Sequence, residues 1–330
     1  MLFAGMDTHK ESVSLCIVDE KSNSVKEACF STDDFGLQKL ALTVCKASCV
    51  MEACSTSYPI YDLLLEKKVK VKLGHSVLMR SFSGLKKTDK LDARKMALML
   101  KAGFIPEVYV PSREVRMKRD LIKQHISLVK ETTRDKNRVK AFLLRYRIKV
   151  KSSNLFGKRA NWLEESTIPA AIRPLIKQSL DQIQRLGEEK KKLDKMIETE
   201  AKQNNDAVLL QSIPGVGWFT AFLVAVAVDG IERFASPEQL VSYAGLAPCI
   251  YQSGNTRHTG SITKTGRAEL RWALTQCAWI AVTKSKKFRK KYLKIKRKRG
   301  QKKAIISVAR KMLTVMYYLL KKKEVFRDNA

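Results

Sequence analysis

Along the first hundred residues the apolar positions fall into short runs with two different periods. Leu2 to Met6 is an apolar run that closes on Asp7, and Ser12 to Val18 alternates polar and apolar residues as a half-buried strand does. Ala28 to Ser31 reads as a third strand. Asp33 to Val44 then changes to helical spacing through Leu37, Leu40 and Leu42. Cys49 to Glu52 is another apolar run closing on an acid. Tyr58 to Leu65 reads as a helix, Val69 to Leu73 as a fifth strand, and Leu85 to Leu100 as a helix with Leu91, Met96 and Leu98 on or near its apolar side.

Three strands, helix, strand, helix, strand, helix is an order that suits an RNase H-like α/β sheet. From Ser112 to about Lys151 the pattern changes: Leu121, Leu128, Val139, Phe142 and Tyr146 recur at helical spacing among many Lys and Arg. A second helical stretch, Pro174 to Gln203, carries Ile176, Leu180, Ile183, Leu186, Leu193 and Ile197, with Gly187 and Lys190 interrupting the seam. An imperfect coiled coil suited to dimerisation fits this pattern, and so does a long helix packed on its own chain. The last third begins at Leu209. There Ile213-Pro214-Gly215-Val216-Gly217 resembles the turn of a helix-hairpin-helix, whose backbone N–H groups meet phosphate. Ala207 to Val228 carries no charge, but Pro214, Gly215 and Gly217 interrupt it. The clean part, Trp218 to Val228, is too short for a bilayer and reads as a buried helix. Three domains are expected: an α/β unit over 1–110, basic helices with a coiled coil over 111–205, and a mainly α domain over 206–330.

Charge narrows the function. The 330 residues include 64 Lys and Arg against 32 Asp and Glu, a formal charge of +32. A small-molecule enzyme has no need of such a field, whereas a protein that holds a polyanion does, because each neutralised phosphate releases counterions. At 45% hydrophobic residues the chain still builds a core, which excludes a disordered basic tail. Lys284 to Lys303 is the most basic stretch; it interleaves Phe288, Tyr292, Leu293 and Ile295 and contains no acid. The charge is otherwise spread along the chain, unlike a single amphipathic membrane anchor, so no membrane partner is expected. Seven cysteines, an odd number without a secretory leader, point to a reducing, cytoplasmic compartment.

Four acids stand out by position. Asp7 and Glu52 end predicted strands, and Asp89 and Asp92 are three apart on one helix, so they share a face. Singly, such acids are often turn or surface residues. Together, in a chain this basic, they are worth more: Asp89 and Asp92 repel one another, and a divalent cation is one way to compensate them. Mg²⁺ takes oxygen ligands and leaves room for phosphate oxygens, and a pair of such ions activates an attacking oxygen while stabilising a leaving one. Lys87 and Arg94 flank the helical pair and are candidates to screen it or to touch DNA. Cys45, Cys49 and Cys54 fit no common zinc finger and read as buried thiols. His9 reads as a hydrogen-bonding or surface residue, with a metal role open.

In its motifs the chain resembles the DEDD transposases (recombinases) of insertion-sequence family 110, including the 1111 branch. Gly5-Met6-Asp7-Thr8-His9-Lys10 is similar to the family's opening motif, Met51-Glu52-Ala53-Cys54 to its second, and Lys87-Thr88-Asp89 with Asp92-Ala93 to its third. Ile213 to Gly217, Phe234, Tyr243-Ala244-Gly245-Leu246-Ala247-Pro248, Ser253-Gly254, Gly260 to Gly266 and Leu270-Arg271 follow in order. Many members carry a Gly soon after the Glu motif; here Ser55-Thr56-Ser57-Tyr58 follows. The resemblance implies a RuvC-like (RNase H-like) N-terminal domain over 1–110, a coiled coil and a C-terminal transposase domain. It implies Asp7, Glu52, Asp89 and Asp92 as Mg²⁺ ligands and Ser253 as the nucleophile. It also implies a homo-oligomer, dimer or tetramer, whose composite site draws its two domains from different subunits. A structured noncoding bridge RNA, pairing with donor and target DNA, is the implied guide.

A serine hydroxyl is a weak nucleophile until a base, cation or metal activates it. A phosphoserine link conserves the energy of the cut phosphodiester, so rejoining needs no ATP. Arg257, His258, Lys264, Arg267 and Arg271 are local candidates to hold the phosphate. Ser253-Gly254-Asn255 is equally good turn composition, and Thr256, Thr259 and Ser261 are rival hydroxyls; the resemblance alone favours Ser253. Two other functions fit the residues: a RuvC-like metal-dependent nuclease or junction resolvase using water, and a non-catalytic nucleic-acid-binding protein.

Overall fold

The alternating pattern of the first thirty residues folds as β1 (Leu2–Thr8), β2 (Ser12–Val18) and β3 (Ser24–Ser31), paired antiparallel in sequence. A computed structural model of the chain describes residues 1–80, 88–150, 155–156, 162–165, 168–254 and 256–328, in two units, Met1–Pro111 and Ser112–Ala330. β3 begins earlier than the apolar pattern predicts. Its first residues lie exposed on an edge strand, where backbone pairing to β2 proceeds without an apolar face to reveal it.

Next come α1 (Asp34–Val44), β4 (Ala47–Glu52), α2 (Ser57–Glu66), β5 (Lys70–Gly74), α3 (Ser76–Arg80) and α4 (Asp89–Lys101). β4 joins β1 in parallel and β5 joins β4 in parallel, giving the order β3-β2-β1-β4-β5. Strand alternation sends Ala4, Met6, Val13, Leu15, Ile17, Cys49 and Met51 to one face, where Leu40, Val44, Ile60 and Leu64 of α1 and α2 cover them. The opposite face presents Cys16, Val18 and Val50 to Ala93, Met96 and Ala97 of α4. A Cβ on Gly5 would stand 2.0 Å from the Ala93 carbonyl oxygen, so the bare glycine lets α4 seat directly on the central strand. The helix expected from Leu85 has its first three positions outside the described residues. Within them it starts at Asp89, where Thr88 caps it by accepting the Leu91 N–H at 3.3 Å.

The second unit is mostly helical: α5 (Arg113–Arg145), α6 (Trp162–Glu165), α7 (Arg173–Gln203), α8 (Asn205–Leu210), α9 (Trp218–Val228), α10 (Pro237–Tyr243), α11 (Ala268–Lys284) and α12 (Lys286–Lys322). A hairpin of β6 (Pro248–Ser253) and β7 (Thr256–Ile262) interrupts them. Lys118 meets Glu200 at 3.6 Å and His125 meets Asp194 at 2.8 Å, while Val139 and Leu143 share a core with Ile176 and Ile183. α5 and α7 are therefore antiparallel, and α5 of the same chain covers the apolar seam of α7.

The charge-free stretch yields α9, buried from Thr220 to Val228 at the centre of the second core. Among the described residues no helix is long and apolar enough to cross a membrane. The last carbonyls of α9, which lack helical partners, accept from Arg119 at Val226 and Ala227, from Arg233 at Ala227 and Val228, and from the Tyr243 hydroxyl at Ala227.

Candidate active site

Met6 of β1 pairs with Met51 of β4, so the next residues, Asp7 and Glu52, stand level at the ends of adjacent parallel strands. Alternation from Gly5 and Val50 puts both on the face that α4 covers. α4 begins over that edge, with Asp89 and Asp92 in its first turn, where the helix dipole favours acids. The imidazole of His9 bridges the two elements: Nε2 lies 3.4 Å from Asp7 Oδ2 and 3.3 Å from Asp89 Oδ2. Lys95 reaches Asp92 at 3.2 Å.

Burial pushes the Asp7 carboxyl above its ordinary value. The positive side of His9 opposes that rise, and the charges of Asp89 and Asp92 add to it. Asp7, His9 and Asp89 each offer a ligand atom within 4.8 Å of the others. Carboxylate oxygens forced together, one of them half-desolvated, are a donor set that fits a hard divalent cation. Asp7, Asp89 and Asp92 thus share one electrostatic neighbourhood, and the strand register sets Glu52 at its edge.

The segment after Glu52 is tied down without the family's usual glycine. Ser57 Oγ accepts the Cys54 N–H at 3.1 Å and donates to the Cys54 carbonyl at 2.8 Å. The Cys54 sulfur lies 3.0 Å from Thr56 Oγ1 and 3.4 Å from Thr8 Oγ1. Burial alone would raise that thiol. Hydrogen bonds with Thr56, Thr8 and the backbone outweigh it, and the thiol sits below its ordinary value. Sequence reasoning assigned Cys54 to the core and His9 to a surface or hydrogen-bonding role. Only the two-residue step from Asp7 to His9, past the strand end, signals that the ring can turn back to the acid.

In the second unit Ser253 ends β6 and pairs with Thr256 across Gly254-Asn255, with Gly254 at φ +54°, the left-handed conformation a tight hairpin requires. Ser253 is exposed. The hairpin escaped sequence reasoning because its strands show no alternating buried face: Ile250 and Tyr251 are exposed beside polar residues, and only the turn composition marks it. It rises from a clasp of two loops. Thr263 N–H donates to the Ala247 carbonyl at 2.9 Å, Lys264 N–H to Gly245 at 3.2 Å and Arg267 N–H to Tyr243 at 3.0 Å. A Cβ on Gly266 would fall 2.2 Å from the Tyr243 carbonyl oxygen, which explains the glycine at that position.

Arg267 donates to the Tyr243 hydroxyl, and Arg271 donates to the Ala244 carbonyl at 3.0 Å. Both guanidinium groups hold the clasp. Lys264, at φ +58°, and Arg94 are exposed. Lys87 lies outside the described residues, as does the side chain of Arg257.

Comparison with known proteins places the chain among transposases. A DEDD transposase model of the IS110 type matches residues 4–148, and the model of the Transposase IS116/IS110/IS902 family matches residues 207–293. The transposase for insertion sequence element IS1111A of Coxiella burnetii is 27% identical over 344 aligned positions, covering 99% of this chain and 91% of that protein. The putative transposase y4qE of Sinorhizobium fredii is 28% identical over 243 residues, 69% of this chain but 57% of that protein. A pilin gene-inverting protein of Moraxella bovis is 37% identical over 126 residues, 37% of this chain and 39% of its own. The chain belongs to the IS110 family of DEDD transposases, and its enzyme class is DNA transposase/recombinase.

Proposed function

We propose that the chain cuts and rejoins DNA strands for an insertion sequence through a covalent serine intermediate. The convergence of Asp7 and Asp89 on His9, with Asp92 adding its charge, carries this reading. The order β3-β2-β1-β4-β5, antiparallel then parallel, supports an RNase H-like (RuvC-like) catalytic unit over 1–110. Asp7, Glu52, Asp89 and Asp92 are the proposed Mg²⁺ ligands. The bound ion supplies charge stabilisation at the scissile phosphate and lowers the pKa of a coordinated hydroxyl.

Ser253 Oγ forms a phosphoester as the bond between phosphorus and the departing strand breaks. The serine proton passes to a base, and the departing oxygen takes up a proton. A second strand hydroxyl then reverses the exchange at the same phosphorus, which regenerates the serine. The exposed hairpin tip lets this hydroxyl reach a large substrate. In the assembly, a dimer or tetramer, one subunit's Ser253 serves another subunit's acids. Residues 206–330 are the proposed transposase domain that carries the serine; the apolar seam of α7 is covered by α5 within the chain and is no part of the proposed subunit contact. A structured bridge RNA selects donor and target DNA, and +32 of net charge suits a protein that must hold two nucleic acids. Seven free cysteines agree with a cytoplasmic site of action.

The test is Ser253→Ala with end-labelled DNA and Mg²⁺. Wild type is expected to give a protein–DNA adduct that survives denaturation, and the variant neither adduct nor cut while still binding DNA. Nicking by the variant without adduct would show that water is the nucleophile and overturn the serine mechanism.

A further inference from the structure

α12 does not stay on the core. Its first turns are anchored: Ser285 caps it by accepting the Phe288 N–H at 3.3 Å, and Asp328 accepts from Ser285 Oγ at 2.8 Å and from the Lys286 N–H at 3.1 Å. Phe288 is buried and stacks on Phe326 at 5.7 Å, and Tyr292 packs edge-on to Trp279 at 6.0 Å. After Tyr292 the helix leaves the core, and from Leu293 to Lys303 only Ile295 is even partly covered. Gly300, at φ +77° and ψ 171°, breaks the helix and turns it back, and Ala304 and Ile305 are buried again. The result is an exposed elbow fixed at both ends.

That elbow carries Lys294, Lys296, Arg297, Lys298, Arg299, Lys302 and Lys303 and no acid. Among the described residues none of the seven has an acidic partner at ion-pair distance. At 3.6 residues per turn, positions 294 and 296–299 spread around the whole circumference of the helix. A helix meant to lie along one nucleic-acid strand needs cations on one face only. Cations on every side fit a helix flanked by phosphates on both sides.

We propose that the elbow, residues 293–303, lies in the major groove of double-stranded DNA, where its cations contact phosphates on both walls. The B-form major groove is about 12 Å wide, and a helix with its side chains about 10–12 Å across. The A-form groove of duplex RNA is too deep and narrow to admit it. Single strands are held in grooves by exposed aromatic platforms. Here the aromatics nearest in sequence, Phe288 and Tyr292, are buried. Phosphate contact positions DNA without reading its sequence.

The test uses the full chain carrying Lys294→Gln, Lys296→Gln, Arg297→Gln and Lys298→Gln together. Gln keeps helix propensity at these exposed positions, and an unchanged melting temperature verifies the fold. Binding is measured by fluorescence anisotropy on a DNA duplex, an RNA duplex of equal length and single-stranded DNA, each across a salt series. No cleavage is required, so the outcome does not depend on the serine mechanism. With about four phosphates no longer neutralised, the slope of log K against log salt on duplex DNA falls by about 3 to 4, and affinity drops at least ~100-fold. Duplex RNA and single-stranded DNA, whose phosphates the elbow does not straddle, change by less than about 3-fold. A DNA duplex with bulky C5-substituted pyrimidines filling the major groove weakens wild type but not the variant. An unchanged slope on duplex DNA, an equal loss on duplex RNA, or wild-type indifference to the filled groove would each overturn the proposal.

Discussion

Gly5→Ala perturbs the candidate active site without touching an acid. Gly5 is buried on β1, paired to Cys16 on one side and Val50 on the other, so the strand is held from both edges. The added methyl would stand 2.0 Å from the Ala93 carbonyl oxygen and 2.5 Å from the Ala97 nitrogen, both backbone atoms of α4. No side chain can rotate away, so the helix itself must lift. Ordinary contact begins near 3.4 Å, which requires a movement of about 1.4 Å and an overpacking cost of ~1–3 kcal/mol. Asp89 and Asp92 ride on the first turn of that helix, and a 1 Å misplacement of a reacting constellation costs on the order of 100-fold in rate. Chemical denaturation should show the loss of stability, and Mg²⁺-dependent DNA cleavage should fall ~100-fold on that basis. Gly187→Ala is the control: it sits in α7 with nothing within 4 Å of its added methyl, and should gain up to ~1 kcal/mol from helix propensity. Wild-type stability and cleavage in Gly5→Ala would refute the claim that α4 is seated by that bare glycine. Lost stability with full cleavage would refute the claim that the seating places the acids.

Asp7→Asn should stabilise the protein at neutral pH without divalent ions. Its carboxyl is pushed above the ordinary 3.8 by burial and by Asp89 and Asp92, so the protonated form favours the fold; that contribution is present below 3.8 and lost as pH rises through the elevated value. The difference between variant and wild type should therefore shrink in acid, and Mg²⁺ at ~100 times its Kd should stabilise wild type alone by about 2.7 kcal/mol; an equal metal shift in the variant would remove Asp7 from the ligand set. His125→Phe should make the fold less sensitive to acid. Burial holds the His125 ring below the ordinary 6.5 despite its hydrogen bond to Asp194, so the unfolded chain binds the extra proton, and stability is lost as pH falls through 6.5. The variant keeps an aromatic ring against Phe219, and Asp194 keeps Lys190 at 2.6 Å; melting curves at pH 7 and 5 that fall equally for both proteins would exclude His125 as the source.

The sheet was legible because its strands are short apolar runs bounded by polar residues, although helices cover both of its faces. Ser12 to Val18 alternates visibly, and Asp7 and Glu52 announce the strand ends where apolar runs stop. Which faces those acids share was not legible, since that depends on the parallel pairing of β1 with β4, a contact between segments some forty residues apart. The seam of α7 was legible as a seam, but its partner was not: Ile176, Ile183 and Ile197 pack equally well on a second copy or on α5, and only the fold distinguishes them. The arginines of the Gly260 to Arg271 region illustrate a different limit. Composition marks a cation as available for phosphate, yet Arg267 and Arg271 are taken by Tyr243 and Ala244, because loop carbonyls and a half-buried hydroxyl also take donors. The charge run after Lys284 was legible as a basic surface suited to a polyanion, but its bend away from the core at Gly300 was not.

An acidic cluster inside a chain of +32 sets two electrostatic requirements at different distances. At physiological salt the screening length is about 8 Å, so exposed basic surfaces attract a polyanion without neutralising carboxylates beyond that range. Beside the acids stand His9, at 3.3 and 3.4 Å, and Lys95, at 3.2 Å. Burial raises the Asp7 carboxyl above its ordinary value despite His9, and the charges of Asp89 and Asp92 add to that rise. A phosphodiester brought there by the distant field would meet repulsion in its last few ångströms. A divalent ion held by those carboxylates would supply the positive charge that lets the phosphate approach. On the proposed function, holding DNA and cutting it are separable: the net charge of +32 serves the one, and the carboxylates gathered at the end of β1 serve the other.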